Sequence, residues 1–183
     1  GNILNFIKFK LLIPQTRNNH NEILGTLITK ELGFLTPDTF EVLTDINGVK
    51  NIMLFQEKSE KELLEKNKRR EGPIFEGDEE LLWRYKDHEL FALENISLAK
   101  LLNKNWFNKG NTHQFIALKS FQKLQNSYLE SYTIENKKKF RTLIFPNSIK
   151  NQTFNNYHLL LESMNGWHAL RPHNRKYYYN LFT

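Results

Sequence analysis

The residues of this chain whose types and spacing could do chemistry are a histidine group, a triple tyrosine and a few charged side chains near the start. His168 and His173 stand five apart, with His158 before them. Zinc is usually held by three or four ligands, and no Cys or Asp stands nearby to complete such a set, so loop-orienting roles are the plain reading. His168 could also serve as a general base, because imidazole titrates near neutral pH. The run Tyr177-Tyr178-Tyr179, close to Arg171, Arg175 and Lys176, could stack bases and track phosphates. The plainer reading is a β-strand with the central tyrosine or the outer pair turned inward, since no aromatic RNA-binding signature accompanies the run. Arg17 lies beside a helix start, where a carboxylate or phosphate is favoured by the helix terminus itself.

Composition narrows the classes. The chain has 183 residues, 39% of them hydrophobic, with 14 Phe, 7 Tyr and 3 Trp, enough for one substantial core or two small lobes. The formal charge of +6 is spread over Lys66–Arg70, Lys137–Arg141 and Arg171–Lys176, without the single dense block of a nucleic-acid arm. With no cysteine, a disulfide framework and thiolate chemistry are excluded. No window approaches the ~20 consecutive apolar residues of a membrane span. A soluble protein, cytoplasmic or associated with a cell envelope, is expected. The chain opens on Gly1 rather than Met and runs almost directly into a strand pattern, which predicts part of a longer protein.

The elements that must position these residues are best defined before Gly72. Ile3 to Ile13 alternates loosely as a strand, with Pro14 ending it. Asn19 to Leu32 places Ile23, Leu24, Leu27, Ile28 and Leu32 on one helical face, with an Asn19/Glu22 capping box and Gly33 as a left-handed cap. Phe40–Ile46 and Lys50–Phe55 flank Asn47-Gly48, the strongest short-range hairpin signal. Ser59-Glu60-Lys61-Glu62 is a capping box for a helix starting at about Ser59, mostly in water and stopping before Gly72-Pro73. Beyond it, Ile74 to Gly77 reads as a short strand, Asp78 to Lys86 as a helical turn or two, Ile96 to Asn103 as a short helix, and Thr112 to Leu129 as a longer one. In that longer helix Phe115, Leu118, Gln122, Gln125 and Leu129 trace one mixed stripe beside Phe121 and Leu124. Glu135 to Gln152 reads as a loop, after which Phe154, Tyr157, Leu161 and Met164 restore helical spacing. The order strand, helix, hairpin, helix is α+β, and the second part is mainly helical.

Five segments stand out together: Pro14-Gln15-Thr16-Arg17, the helix end Glu31-Leu32-Gly33, the hairpin closing on Gln56-Glu57-Lys58, Lys68-Arg69-Arg70-Glu71-Gly72-Pro73-Ile74-Phe75, and the run from His168 to Asn180. Together they resemble the CotH family of spore-coat protein kinases and their bacterial relatives. The resemblance implies an atypical protein-kinase-like fold that phosphorylates Ser or Thr of protein substrates with ATP and Mg²⁺ or Mn²⁺. It divides the chain into a small-lobe-like part, 1–58, and a mainly helical part, 59–183, with a catalytic-loop-like segment at 166–180.

Mapped onto this sequence, the resemblance implies a nucleotide-binding set of Lys10 (or Lys8), Arg17, Glu22 and Glu57. Lys10 lies on the strand before the helix and Glu22 on the helix that would pair with it, while Glu57 lies at the hinge. Asn174 would be the metal ligand, an amide oxygen suiting a hard cation. Where the family's catalytic Asp is expected, beside Gly166-Trp167, the chain reads His168. The glycine-rich phosphate cover would precede Gly1, and the metal-binding Asp would follow Thr183, so an incomplete domain is expected. Three functions stay open: an ATP-dependent protein phosphotransferase, a degenerate relative serving as a protein-interaction module, and a basic nucleic-acid-binding domain, the last disfavoured by the dispersed charge.

Overall fold

A computed structural model describes residues 1–18, 20–78, 98–130, 148–166, 169 and 174–181. The chain is α+β and forms two compact units, Gly1–Glu71 and Gly72–Thr183.

In the first unit a three-stranded antiparallel sheet has the order β1-β3-β2, with β1 at Phe9–Leu12, β2 at Thr39–Ile46 and β3 at Val49–Glu57. The strand expected from Ile3 starts later because Ile3 and Phe6 exchange both backbone hydrogen bonds, and Leu4 and Asn5 turn at φ 53° and 67°. Ile46 pairs with Val49 across Asn47 (φ 55°) and Gly48 (φ 82°), the positive-φ pair a two-residue hairpin demands. The Asp45 carboxylate accepts from the Gly48 amide at 2.9 Å.

Helix α1, His20–Glu31, follows a 3-10 turn at Pro14–Arg17. It ends on Gly33 at φ 83°, where the amides of Gly33 and Phe34 bond back to Lys30 and Thr29. Asn19, half of the expected capping box, lies outside the described residues. Helix α2 spans only Lys61–Lys66, shorter at both ends than its sequence suggests. Its N-cap is Glu60 rather than Ser59, without a side-chain capping bond. As expected it lies mostly in water, with four of its six residues exposed or half-buried, while Leu63 and Leu64 are 3% and 1% exposed.

At its end Lys68 takes the left-handed conformation (φ 55°), with the amides of Lys68 and Arg69 bonded to Glu65 and Leu64. A left-handed residue with a Cβ is strained where glycine is not. Lys68→Gly is therefore expected to raise the unfolding free energy by ~0.5–1 kcal/mol, read by urea denaturation. A loss of stability would contradict this account of the helix end.

The core of this unit is aromatic. Phe55 stacks with Phe9 and Phe40 at centroid distances of 4.5 and 5.0 Å, and Phe6 leans on it at 5.1 Å. Leu54, Phe55, Leu63 and Leu64 are its most buried aliphatic and aromatic side chains.

In the second unit an antiparallel sheet has the order β5-β4-β6, with β4 at Ile74–Asp78, β5 at Leu98–Leu101 and β6 at Lys176–Tyr178. The short helix expected over Ile96 to Asn103 is thus a strand there, from Leu98 onward. A four-residue helix α3, Lys104–Phe107, leads to α4, Asn111–Glu130, and α5 covers Ser148–Ser163. Ser148 to Gln152 therefore open a helix rather than close a loop. The segments 79–86 and 135–147 lie outside the described residues.

Phe75, Ala99 and Leu124 form the buried centre, with Leu101, Phe121 and Tyr177 packed on it. The stripe read on α4 is rotated from the one that packs. Phe115 and Leu118 are 66% and 62% exposed, while Ala117, Ser120 and Leu124 are buried. Asn103 fastens the start of β4: its Nδ2 donates to the Gly72 carbonyl at 2.7 Å, and its Oδ1 accepts from the Ile74 amide at 2.9 Å. Gly72 has no room for a Cβ, which would meet the Tyr179 carbonyl at 2.8 Å.

Candidate functional site

The sheet of the first unit divides its candidate residues between two faces, because direct cross-strand partners share a face. Lys10 and Thr39 both lie opposite Gln56, so these three belong to one side. Helix α1 contributes Glu22 to that side, and its Oε1 accepts from Gln56 Nε2 at 2.8 Å. Gln56 also donates weakly to Thr39 Oγ1 at 3.4 Å. Glu22 thus bonds to Gln56 rather than to Lys10, which sits exposed across the same strand pair.

Lys8 is ion-paired with Glu60, so its ammonium serves as a link to the start of α2. Arg17 ends the 3-10 turn ahead of α1 and is exposed.

Glu57 pairs with Phe9 on the opposite side, and it is only 5% exposed. A buried carboxylate needs hydrogen bonds and a countercharge, and both are present. The Asp38 amide donates to Glu57 Oε2 at 3.2 Å, and Lys66 Nζ lies 2.5 Å from the same oxygen. Lys66 also reaches Asp38 Oδ2 at 2.7 Å, while Lys30 holds Asp38 Oδ1 at 2.9 Å. The Lys66 ammonium sits 5.5 Å from the centre of the Phe6 ring, close enough for a cation–π attraction.

Burial opposes ionisation of Asp38, but the hydrogen bonds from Lys66 and Lys30 outweigh it and hold the carboxyl below its ordinary 3.8. Burial likewise disfavours the Lys66 ammonium, and bonding to Asp38 and Glu57 reverses that, raising it above 10.5. Glu57 was expected at the hinge and does close β3. As part of the central strand it terminates in a buried ion network, not as a charge on an exposed sheet edge.

In the second unit Asn174 is half-buried and directly precedes the buried Arg175 and strand β6. Burial raises the Tyr157 hydroxyl above 10.0, with Arg175 opposing and Tyr177 adding to the shift, so these three groups share one environment. The aromatic run packs against protein. Tyr177 joins the core on Phe75, Tyr178 contacts the Gly72 position, and Tyr179 carries Lys123 Nζ 5.8 Å from its ring centre. His168 and His173 lie outside the described residues.

No family model, curated protein or solved structure matches this chain. Among the described residues no three His, Cys, Asp or Glu side chains converge as a metal site, and no helix is long and apolar enough to cross a membrane.

Sequence reasoning brought Glu22, Lys10 and Glu57 to notice but missed the groups that hold them. Gln56 was placed at the hinge without being seen as the partner of Glu22. Lys66 was read only as part of the dispersed positive charge, and Asp38 and Lys30 were not singled out. The available signal for Gln56 was its hairpin position, since the unbroken register from Asn47-Gly48 fixes which face it shares with Thr39. No local pattern marks the Lys66 network, whose members come from four separate segments.

Proposed function

We propose that this chain is a kinase-like domain of the CotH type, serving ATP- and metal-dependent phosphotransfer to Ser or Thr of a protein partner. The observation that carries this reading is the pairing of β1 directly with β3. The mapping requires the strand before the helix and the strand that ends at the hinge to be neighbours. Only then do a phosphate-binding cation and the hinge backbone belong to one surface. Helix α1 sends an acid, Glu22, to that same face. The exposed Lys10 ammonium fits a phosphate contact, and the Asn174 amide has the hard oxygen that a magnesium-class cation takes.

When bound, ATP supplies the phosphoryl group to be transferred. The protein's part would be positioning and charge: in the first unit Lys10 would offset phosphate charge and Glu22 would hold Gln56 on the lysine face, and in the second unit the Asn174 amide would be the group offered to a cation. A hydroxyl substrate must lose its proton, and His168 is the base we assign to that step. The test is transfer of the γ-phosphate to protein Ser or Thr by the full protein with Mg²⁺ or Mn²⁺. Transfer that falls in His168→Ala and Asn174→Ala supports the reading, and unchanged transfer in His168→Ala removes that residue from the mechanism.

A second reading, a protein-interaction module on the same fold, is favoured by one observation. Glu57 and Lys8 are already committed to Lys66 and Glu60, which is how a retained scaffold with lost chemistry would use them. Absence of both nucleotide binding and transfer would select this reading.

A further inference from the structure

The edge of the first unit's sheet carries a feature that the phosphotransfer reading does not use. β2 is an outer strand, and its pairing with β3 runs unbroken from Thr39 to Ile46 without a bulge. Since Ile46 and Val49 close a two-residue turn, they form a hydrogen-bonded pair, and so does every second pair from there. The backbone groups of Glu41, Leu43 and Asp45 therefore point away from β3, along the open edge. No proline blocks it, and an unblocked edge is a template for another strand. The side chains agree. Leu43 is 74% exposed, and Ile52, its direct partner on the same face, is 59% exposed. Glu41 and Asp45 flank Leu43 on that face, two residues before and two after.

The geometry points to β2 as a strand-addition site for an extended, basic segment of a protein partner. That segment has an apolar residue opposite Leu43 and lysine or arginine opposite Glu41 and Asp45. Cross-strand neighbours of opposite charge attract and like charges repel, so the two carboxylates select the occupant. They also act against a second copy of this chain, because the antiparallel register that stacks Leu43 on Leu43 sets Glu41 against Asp45 twice. The neighbouring groups offset this acidity only in part. His20 Nδ1 lies 3.5 Å from one Glu41 oxygen, is largely exposed, and is charged only when protonated. Asp45 accepts a neutral amide from Gly48. Lys50 is the direct cross-strand partner of Asp45 and offsets part of its charge from the β3 side, so Glu41 carries the larger share of the selection. Glu41, Leu43 and Asp45 share the face of Thr39 and Gln56 but line the edge of the sheet opposite to the one formed by the Lys10 strand, so strand addition does not depend on the nucleotide reading and survives its failure.

The test titrates the full chain with a blocked peptide, Thr-Lys-Thr-Ile-Thr-Lys-Thr, and reads amide shifts and exchange by NMR. Binding slows exchange at Glu41, Leu43 and Asp45. A peptide with Glu in place of both Lys binds roughly tenfold more weakly, and the double variant Glu41→Lys, Asp45→Lys reverses that preference. Leu43→Pro removes an outward N–H without touching the ladder to β3, and abolishes binding while the thermal transition is kept. The proposal is overturned if these amides do not respond, or if the Lys and Glu peptides bind equally. It is equally overturned if sedimentation shows a concentration-dependent dimer that Leu43→Pro dissolves, since the occupant would then be a second copy.

Discussion

Replacing Asn103 with Ala is expected to lower the unfolding free energy by about 3–4 kcal/mol, a large share of a domain's usual margin. The side chain is 4% exposed and makes two bonds to the backbone on either side of Pro73. Its removal leaves the Ile74 amide and the Gly72 carbonyl buried without those partners, and an unsatisfied buried polar group costs about 1–3 kcal/mol. Water cannot easily replace the lost amide, because Gly72, Pro73, Ile74 and Phe75 are all buried. Asn103 stands at the N-cap of α3 yet makes no side-chain cap bond, so the loss comes from β4 and not from the helix. Chemical denaturation of the wild type and Asn103→Ala decides it. A loss under ~1 kcal/mol would show that the fastening of β4 does not depend on this amide.

Lys66→Met is the second large effect, expected at about 2–3 kcal/mol of destabilisation. Removing one partner of a fully buried pair costs ~3–5 kcal/mol, and the Lys66 side chain is 36% exposed, so solvent screening lowers that figure. What remains is the Glu57 carboxylate, nearly sealed and without its ammonium. Adding Glu57→Gln to Lys66→Met should recover much of the loss, because the stranded charge is then gone.

The pH dependence has a defined sign. The Asp38 carboxyl is held below 3.8 in the folded chain, so its contribution is complete above that value and fades as pH falls through the folded one. The Lys66 ammonium is raised above 10.5, so its contribution is complete below that value and fades as pH climbs past the folded one. Stability should thus be level from about pH 4 to 10 with respect to this network, falling at both ends. Both limbs should flatten in Lys66→Met. Unchanged limbs would place the pH dependence elsewhere.

What could be read from the sequence was local. The Asn47-Gly48 turn, the Gly33 cap and the strands around the hairpin follow from conformational preferences of a few adjacent residues, and all three are present. The second sheet was harder to read because its pairing is not local. β4 finds β5 and β6 far along the chain, and Leu98-Ala99-Lys100-Leu101 lacks the alternation that would mark a strand. α2 was legible as a mostly solvated helix carrying Leu63 and Leu64, but not in its bounds, because Glu60 and not the Ser59 of the expected capping box is its N-cap. In the candidate site the acids were visible and their partners were not. Which cation meets Glu57 depends on how α2, the Asp38 segment and α1 come together, and no spacing rule encodes that.

The proposed nucleotide surface on the first unit's sheet is best probed by thermal unfolding with ATP and Mg²⁺ or Mn²⁺. A ligand that binds only the folded chain must stabilise it, by about 2.7 kcal/mol at a hundredfold excess over Kd. For a chain of this size that corresponds to a rise of roughly 5–10 °C. A metal-dependent rise of that order, lost in Lys10→Ala, is expected. No rise at saturating nucleotide, or an equal rise in Lys10→Ala, would contradict it.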